Sequence, residues 1–169
     1  EALRRGDTAK AQAVVEADRE VDRLEVELEA LAISLLALQQ PMARDLRFII
    51  GAIKITSDLE RVGDHAANIA GSTIRMSALA GRRPIPPQIE EMARLARAML
   101  SDALDAVIRL DGVLGREVCR RDDAVDALHE TLCRSLLTHM MEEPRTISWA
   151  LETLLVGRNL ERVADLATN

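Results

Sequence analysis

A short segment that carries two carboxylates occurs twice in this chain. Residues 59–64 read LERVGD and residues 160–165 read LERVAD, so Glu60 stands four residues before Asp64, and Glu161 stands four before Asp165. On a helix, residues at this spacing share one face. Two unpaired like charges placed there destabilise a helix by a few tenths of a kcal/mol. The recurrence of this unfavourable pair in matching contexts indicates that the carboxylates have a function.

The first half contains a second carboxylate pair that can meet the first one. Asp18 and Asp22 precede Pro41, which we interpret as the apex of a helical hairpin. Asp22 lies nineteen residues before Pro41 and Glu60 nineteen after it, while Asp18 and Asp64 lie twenty-three residues to either side. At about 1.5 Å per residue, the inner pair would lie roughly 28 Å from the apex on both helices. We therefore expect all four carboxylates to meet.

The second half repeats this arrangement around Pro144. Asp126 and Glu161 lie eighteen residues before and seventeen after this proline, and Asp122 and Asp165 lie twenty-two before and twenty-one after. The near-equal offsets predict a second four-carboxylate cluster at matching height.

Four converging carboxylates either raise one another's pKa values or bind a cation. Oxygen donors of this kind suit Mg, Mn, Ca or Fe better than a thiolate-type zinc site. The carboxylates stand about 100° off the apolar stripe of their helix, so we expect each cluster at the flank of a bundle. The alternative is a solvated helix face, in which Arg61 neutralises Asp64 or Asp58.

Composition narrows the possible functions. The chain has 169 residues, a net charge of −6, one Phe, one Trp and no Tyr. An acidic chain without aromatic stacking platforms is a poor candidate for nucleic-acid binding. Cys119 and Cys133 form neither a CxxC motif nor a disulfide scaffold, which favours a reduced, cytoplasmic setting. No apolar run is long enough to span a bilayer and no signal peptide is visible, but without an initial Met an upstream targeting segment stays open.

The helix-forming composition and the spacing of the breaks predict an all-α protein. Apolar residues recur every three or four positions between Pro41, the Gly- and Pro-rich segment at 81–87, and Pro144. We expect a tandem repeat of two antiparallel three-helix bundles, over residues 1–81 and 88–169, joined by a Pro-rich linker at 82–87. The predicted helical segments are 3–15, 17–39, 42–79, 88–111, 116–141 and 145–169.

The remaining reactive residue types do not assemble into a catalytic set. The sequence has no Gly-rich phosphate loop and no GxSxG motif, so we do not expect an enzyme. His129, three residues after Asp126, is the one histidine with a spacing that warrants testing as a ligand. Cys133 is interpreted as a small core residue. Gly63, whose counterpart in the second copy of the motif is Ala164, is interpreted as a site of close helix packing.

The chain resembles the PhoU family of bacterial phosphate-uptake regulators over essentially its whole length. Residues 39–47 (QQPMARDLR) with 58–64 (DLERVGD) are similar to the family signature, and residues 143–147 (EPRTI) with 159–163 (NLERV) resemble its second repeat. The resemblance implies tandem three-helix bundles whose repeated motifs bind metal ions, often iron, with Mn, Mg, Ca or Zn also possible. The implied ligands are Asp18, Asp22, Glu60, Asp64, Asp122, Asp126, Glu161 and Asp165.

The resemblance also implies a biological role. PhoU-like proteins damp phosphate-starvation signalling by linking the phosphate ABC transporter, through its ATPase, to a membrane sensor histidine kinase. We therefore expect a cytoplasmic negative regulator that reaches the membrane only through its partners. The alternatives are a structural helical adaptor that binds no metal, or a carboxylate-bridged metal enzyme.

The chain departs from the family pattern in three ways. In the family the first helix begins upstream of Glu1 and the last continues beyond Asn169, so both end helices are expected to be incomplete. An incomplete first bundle would expose its apolar stripe, and we expect a homodimer to cover it. Ala164 stands where the second motif has glycine, which would alter the geometry of that site.

Overall fold

The computed structural model describes residues 1–79 and 83–169, which form α-helices and connecting turns without a strand. The prediction of an all-α protein is confirmed, and the described residues form six helices in two halves. A short 3₁₀ turn, Pro144–Thr146, precedes the last helix. The helices are α1 (Ala2–Arg5), α2 (Thr8–Gln39), α3 (Arg44–Ser77), α4 (Pro87–Arg109), α5 (Gly112–Glu142) and α6 (Ile147–Thr168).

The first helices differ from the prediction. The expected break between residues 15 and 17 is wrong, because α2 runs without interruption from Thr8 to Gln39. The break instead lies at Gly6, which adopts a left-handed conformation with φ 65° that glycine tolerates without strain. Asp7 then caps α2 by accepting a hydrogen bond from the Lys10 amide at 2.9 Å. The long α2 places Asp18 and Asp22 in the interior of one rigid helix.

The second half is a three-helix bundle. Helices α4, α5 and α6 all contact one another, and their apolar stripes enclose the main core of the molecule. Its largest fully buried side chains are Met92, Met99, Val118, Val125, Leu132 and Val156.

The first half is a helical hairpin with a short addition. Helices α2 and α3 pack antiparallel along their length, and the four-residue α1 contacts both. The division into repeats at 1–81 and 88–169 stays a prediction, and residues 80–82, which include the start of the expected linker, lie outside the described residues.

Packing of α3 against α6 joins the two halves. Three contacts define an antiparallel register: Asp58 with Asn169, His65 with Asn159, and Arg75 with Glu152. In this register, residue 62 of α3 lies level with residue 164 of α6. The two copies of the repeated motif therefore cross each other at the centre of the molecule, with their carboxylates directed to opposite flanks, towards α2 and α5.

Within the described residues, no helix is long and apolar enough to cross a membrane.

Candidate metal centre

The tighter carboxylate cluster lies between α5 and α6. Asp122 and Asp126 are one turn apart on α5, and Asp165 faces them from α6. One carboxylate oxygen from each of these three residues lies within 4.8 Å of the others. Among the described residues this is the only such set of three metal-ligand side chains. We call it the second cluster, together with Glu161, which lies one turn before Asp165.

In the second cluster, burial and mutual repulsion disfavour the state in which all four carboxylates are ionised. Oδ1 of Asp122 is buried and has no hydrogen-bond partner. Burial raises the pKa of Asp122 above its ordinary value, and the carboxylates of Asp126 and Asp165, then those of Asp123 and Glu161, raise it more. A buried carboxylate oxygen without a donor is unfavourable unless a cation or a proton compensates it.

The first cluster, formed by Asp18, Asp22, Glu60 and Asp64, occupies the corresponding place between α2 and α3. Asp18 Oδ1 is also buried without a partner. Burial, then Asp22 and Asp64, raise the pKa of Asp18. Burial followed by Asp64 raises the pKa of Glu60. The structure thus brings these four residues together as the hairpin offsets predicted, although less tightly than in the second half.

A close approach of the two helices makes the first cluster possible. A Cβ atom placed on Gly63 would lie 2.8 Å from Asp18 Oδ1, nearer than real Cβ contacts come. The prediction that Gly63 permits close packing is therefore supported, and the neighbour that uses the space is a cluster carboxylate. At the same position of the second half, Ala164 is completely buried.

The arginine of each motif copy pairs differently. Arg61 lies 3.5 Å from Asp58, whereas Arg162 lies 3.1 Å from Asp165 in the second cluster. The repeat explains the difference, because the residue that corresponds to Asp58 is the neutral Asn159. Of the two pairings that the alternative allows, Arg61 forms the one with Asp58 and leaves Asp64 unpaired, whereas Asp165 of the second cluster is paired with Arg162.

Two residues lie next to the clusters although the sequence did not indicate a role for them in metal binding. Glu25, one turn after Asp22, is among the carboxylates that raise the pKa of Glu60. Glu25 stands three residues after Asp22 and seven after Asp18, a spacing that places all three on one helix face and could have identified it from the sequence. Cys133, interpreted as a core residue, is half-buried, and burial followed by the charge of Glu161 raises the pKa of its thiol.

His129 occupies in the second half the repeat position that Glu25 occupies in the first. A Cβ atom on Gly157 of α6 would lie 3.4 Å from its Cδ2 atom, so its ring lies against α6 one turn from Asp126. It stands beside the three carboxylates without belonging to the set within 4.8 Å.

The residues present fit a divalent or trivalent cation. Each cluster offers carboxylate oxygens from two helices, and each contains one buried oxygen that lacks a donor. Hard and borderline cations take such oxygen donors. That all eight carboxylates serve as ligands stays a prediction.

Comparison with known proteins identifies the fold and its relatives. The PhoU domain matches residues 1–73 and 89–169. The chain belongs to the PhoU family. Its PhoU-like relatives include the phosphate-specific transport system accessory protein PhoU homolog of Caulobacter vibrioides, 42% identical over 168 residues that cover 99% of this chain and 73% of that protein. The homolog from Aquifex aeolicus is 41% identical and covers 96% of this chain and 73% of its own length.

Solved PhoU structures match the whole architecture. The crystal structure of PhoU from Pseudomonas aeruginosa superposes with a TM-score of 0.93 at 36% identity, covering 99% of this chain and 80% of that one. The phosphate transport system regulatory protein PhoU from Streptococcus pneumoniae gives a TM-score of 0.90 at 28% identity, with 99% and 78% covered. These relatives are named accessory or regulatory proteins, which confirms the prediction of a non-enzymatic PhoU regulator.

Proposed function

We propose that this PhoU-family chain is a negative regulator of phosphate uptake and phosphate-starvation signalling that uses bound metal to shape its docking surface. The family membership supports the regulatory role, since the relatives are named as accessory proteins of phosphate-specific transport systems. The single observation that supports metal is the buried, unpartnered aspartate oxygen at the equivalent position of both clusters, Asp18 and Asp122.

In this proposal the metal neutralises carboxylates that otherwise repel one another. Asp122, Asp126, Glu161 and Asp165 would hold it in the second half, and Asp18, Asp22, Glu60 and Asp64 in the first. Because ligands come from both helices of each hairpin, the bound cation would fix α2 against α3 and α5 against α6. The flank carrying each cluster would then be a rigid surface of reduced negative charge.

The partners proposed for this surface are the ATPase of the phosphate ABC transporter and a membrane sensor histidine kinase. The protein would act in the cytoplasm and reach the membrane through these partners. An adaptor of this kind needs no catalytic residues, only surfaces that bind two partners.

Metal analysis of purified protein tests the metal part of the proposal. We expect the wild type to retain metal after gel filtration, and the variant Glu60→Gln/Asp64→Asn/Asp122→Asn/Asp165→Asn to lose it. The matched control is Glu16→Gln/Glu20→Gln, which removes two exposed carboxylates one turn apart on α2 outside the cluster. Equal metal content in all three proteins would contradict metal binding at these residues.

Partner capture separates the metal-dependent adaptor from a purely structural one. We expect immobilised wild-type protein to retain the transporter ATPase and the sensor kinase, and to release them when a chelator is added. Retention that a chelator leaves unchanged would favour the structural adaptor. A phosphate-starvation reporter that stays repressed in high phosphate when the gene is deleted would contradict negative regulation itself.

A further inference from the structure

A cleft of about 340 Å³ between α3 and α6 is lined by hydrogen-bond donors. Its walls carry Arg158 and Arg162, one turn apart on α6, and His65 and Asn68 on α3. No carboxylate is among the described residues that line it, although the chain carries a net charge of −6. A concentration of cationic and amide donors in an acidic protein indicates an anionic ligand.

Two of these donors are available to a ligand. Among the described residues, neither the Arg158 guanidinium nor the Asn68 amide has an ion-pair or hydrogen-bond partner, and both side chains are exposed. Arg75 also reaches the cleft, but Glu152 holds its guanidinium through bonds of 2.7 and 2.9 Å. The unpaired positive charge of the cleft therefore belongs to Arg158.

Hydrogen bonds on the wall of the cleft set the tautomer of His65. The Asn159 amide Nδ2 donates to the Leu155 carbonyl at 2.7 Å, which assigns the other side-chain atom of Asn159 as an oxygen. His65 Nδ1 lies 2.9 Å from that oxygen and must carry the hydrogen of this bond. His65 Nδ1 is thus engaged with Asn159, and this bond holds the ring at the wall of the cleft.

We propose that this cleft binds a tetrahedral oxyanion of the inorganic phosphate class through Arg158, Arg162, Asn68 and His65. Guanidinium groups recognise phosphate oxygens through paired, charge-assisted hydrogen bonds. His65 lies on the wall of the cleft beside these donors.

Arg162 connects the cleft to the second metal cluster. Its Nη1 donates to Asp165 Oδ2 at 3.1 Å, so the same guanidinium faces an oxyanion site and a proposed metal ligand. An anion that draws Arg162 into the cleft would release Asp165 to a cation, and phosphate and metal would then bind with positive coupling. This second step rests on the proposed metal binding, whereas the oxyanion site itself does not.

Equilibrium dialysis of the metal-free full chain against labelled inorganic phosphate tests the oxyanion site. With ionic strength held constant by chloride, we expect saturable binding that weakens by about tenfold or more in Arg158→Gln, because a charge-assisted hydrogen bond is lost. The matched control is Arg134→Gln, which removes an exposed arginine of α5 that is paired with Glu130. We expect this control to bind as the wild type does.

Three outcomes would overturn the oxyanion site. They are the absence of saturable phosphate binding, an equal loss in Arg158→Gln and Arg134→Gln, and binding of a phosphoserine peptide without binding of inorganic phosphate. Because these measurements are made without metal, they are independent of the proposed metal function.

Metal titration with and without phosphate tests the coupling. We expect phosphate to raise the metal affinity of the wild type severalfold and to have no effect in Arg162→Gln, which removes the shared guanidinium. Equal metal affinity with and without phosphate would overturn the coupling, and a chain that binds no metal at all would instead contradict the proposed metal function.

Discussion

At the scale of single residues, the two motif copies differ most informatively at Gly63 and Ala164. The missing side chain of Gly63 is the space into which Asp18 Oδ1 fits. Ala164 is completely buried, so the second half accommodates a methyl group at the same repeat position. Glycine in the interior of a helix is less stable than alanine. Gly63 therefore lowers the stability of α3 but lets Asp18 approach the helix closely.

Substitution of Gly63 by alanine is expected to impair the first cluster. The new methyl group must displace Asp18, so we expect metal affinity at this cluster to fall by about tenfold or more, as for other groups that orient metal ligands. The Gly63→Ala chain should also gain no stability. Metal titration and urea unfolding of the purified variant measure both effects.

The control for this prediction is Gly51→Ala in the same helix. A Cβ atom at Gly51 would meet no atom within 4 Å, so alanine there should stabilise the fold by roughly 0.5–1 kcal/mol. Metal affinity should be unchanged. If both alanine variants gained equal stability and bound metal alike, the close approach at Gly63 would have no functional meaning.

The raised pKa of Asp122 supports a second prediction at this scale. Burial and neighbouring carboxylates raise this pKa above its ordinary 3.8. Asp122 therefore binds a proton more tightly in the folded protein than in the unfolded chain, so its protonation stabilises the fold. The stabilisation from this group is present below pH 3.8 and is lost as the pH rises through its raised folded pKa. In metal-free protein, Asp122→Asn should therefore be more stable than wild type at pH 7 by several tenths of a kcal/mol.

Urea unfolding with a chelator, at pH 3.5 and at pH 7, checks this difference. We expect the advantage of Asp122→Asn to be present at pH 7 and to vanish at pH 3.5. With metal added, the order should reverse, because the wild type gains a ligand that the amide cannot replace. An advantage that does not change with pH would refute the assignment to Asp122.

At the scale of helices, the hairpin offsets predicted from sequence which carboxylates meet, because helix rise is constant and each proline marks an apex. The ends of helices were less predictable. The expected break near residue 16 was wrong because no residue there disfavours a helical conformation. Gly6 does disfavour one, and the chain breaks at that residue. The gap expected between residues 111 and 116 is shorter in the structure, because Asp111 caps α5 and both Gly112 and Gly115 lie inside that helix. The shorter distances between carboxylates in the second cluster depend on side-chain packing, which cannot be predicted from the spacing of residues in the sequence.

The cap of α5 supports a prediction at this scale. Asp111 accepts hydrogen bonds from the amides of Val113 and Leu114 at 2.9 and 3.1 Å. Asp111→Ala removes both and should lower the free energy of unfolding by about 1 kcal/mol. Asp111→Asn keeps the acceptor and should lower it much less. Urea unfolding of the three proteins measures the difference, and equal losses in both variants would exclude capping as the cause.

At the scale of the whole molecule, the two halves differ in how well their helices are covered. Leu132 of α5 is fully buried and lies against Gly157 of α6, whereas its repeat counterpart on α2, Leu28, is 49% exposed. The same face continues along α2 as a stripe of exposed apolar side chains at spacings of three and four residues. They are Leu24, Leu28, Leu31, Leu35 and Leu38. Patches of this extent in a water-exposed chain mark interaction surfaces.

We expect the 169-residue chain to self-associate through this face, which would realise the predicted homodimer. Two copies can bury their α2 stripes against each other in an isologous interface. Leu28→Glu/Leu35→Glu places four charges at the centre of such an interface and should convert a concentration-dependent dimer into a monomer in analytical ultracentrifugation. The matched control, Val113→Glu/Leu137→Glu, adds the same charges at exposed positions outside this face. A wild type that sediments as a monomer at high concentration, or a control that dissociates as readily as the α2 variant, would contradict this interface.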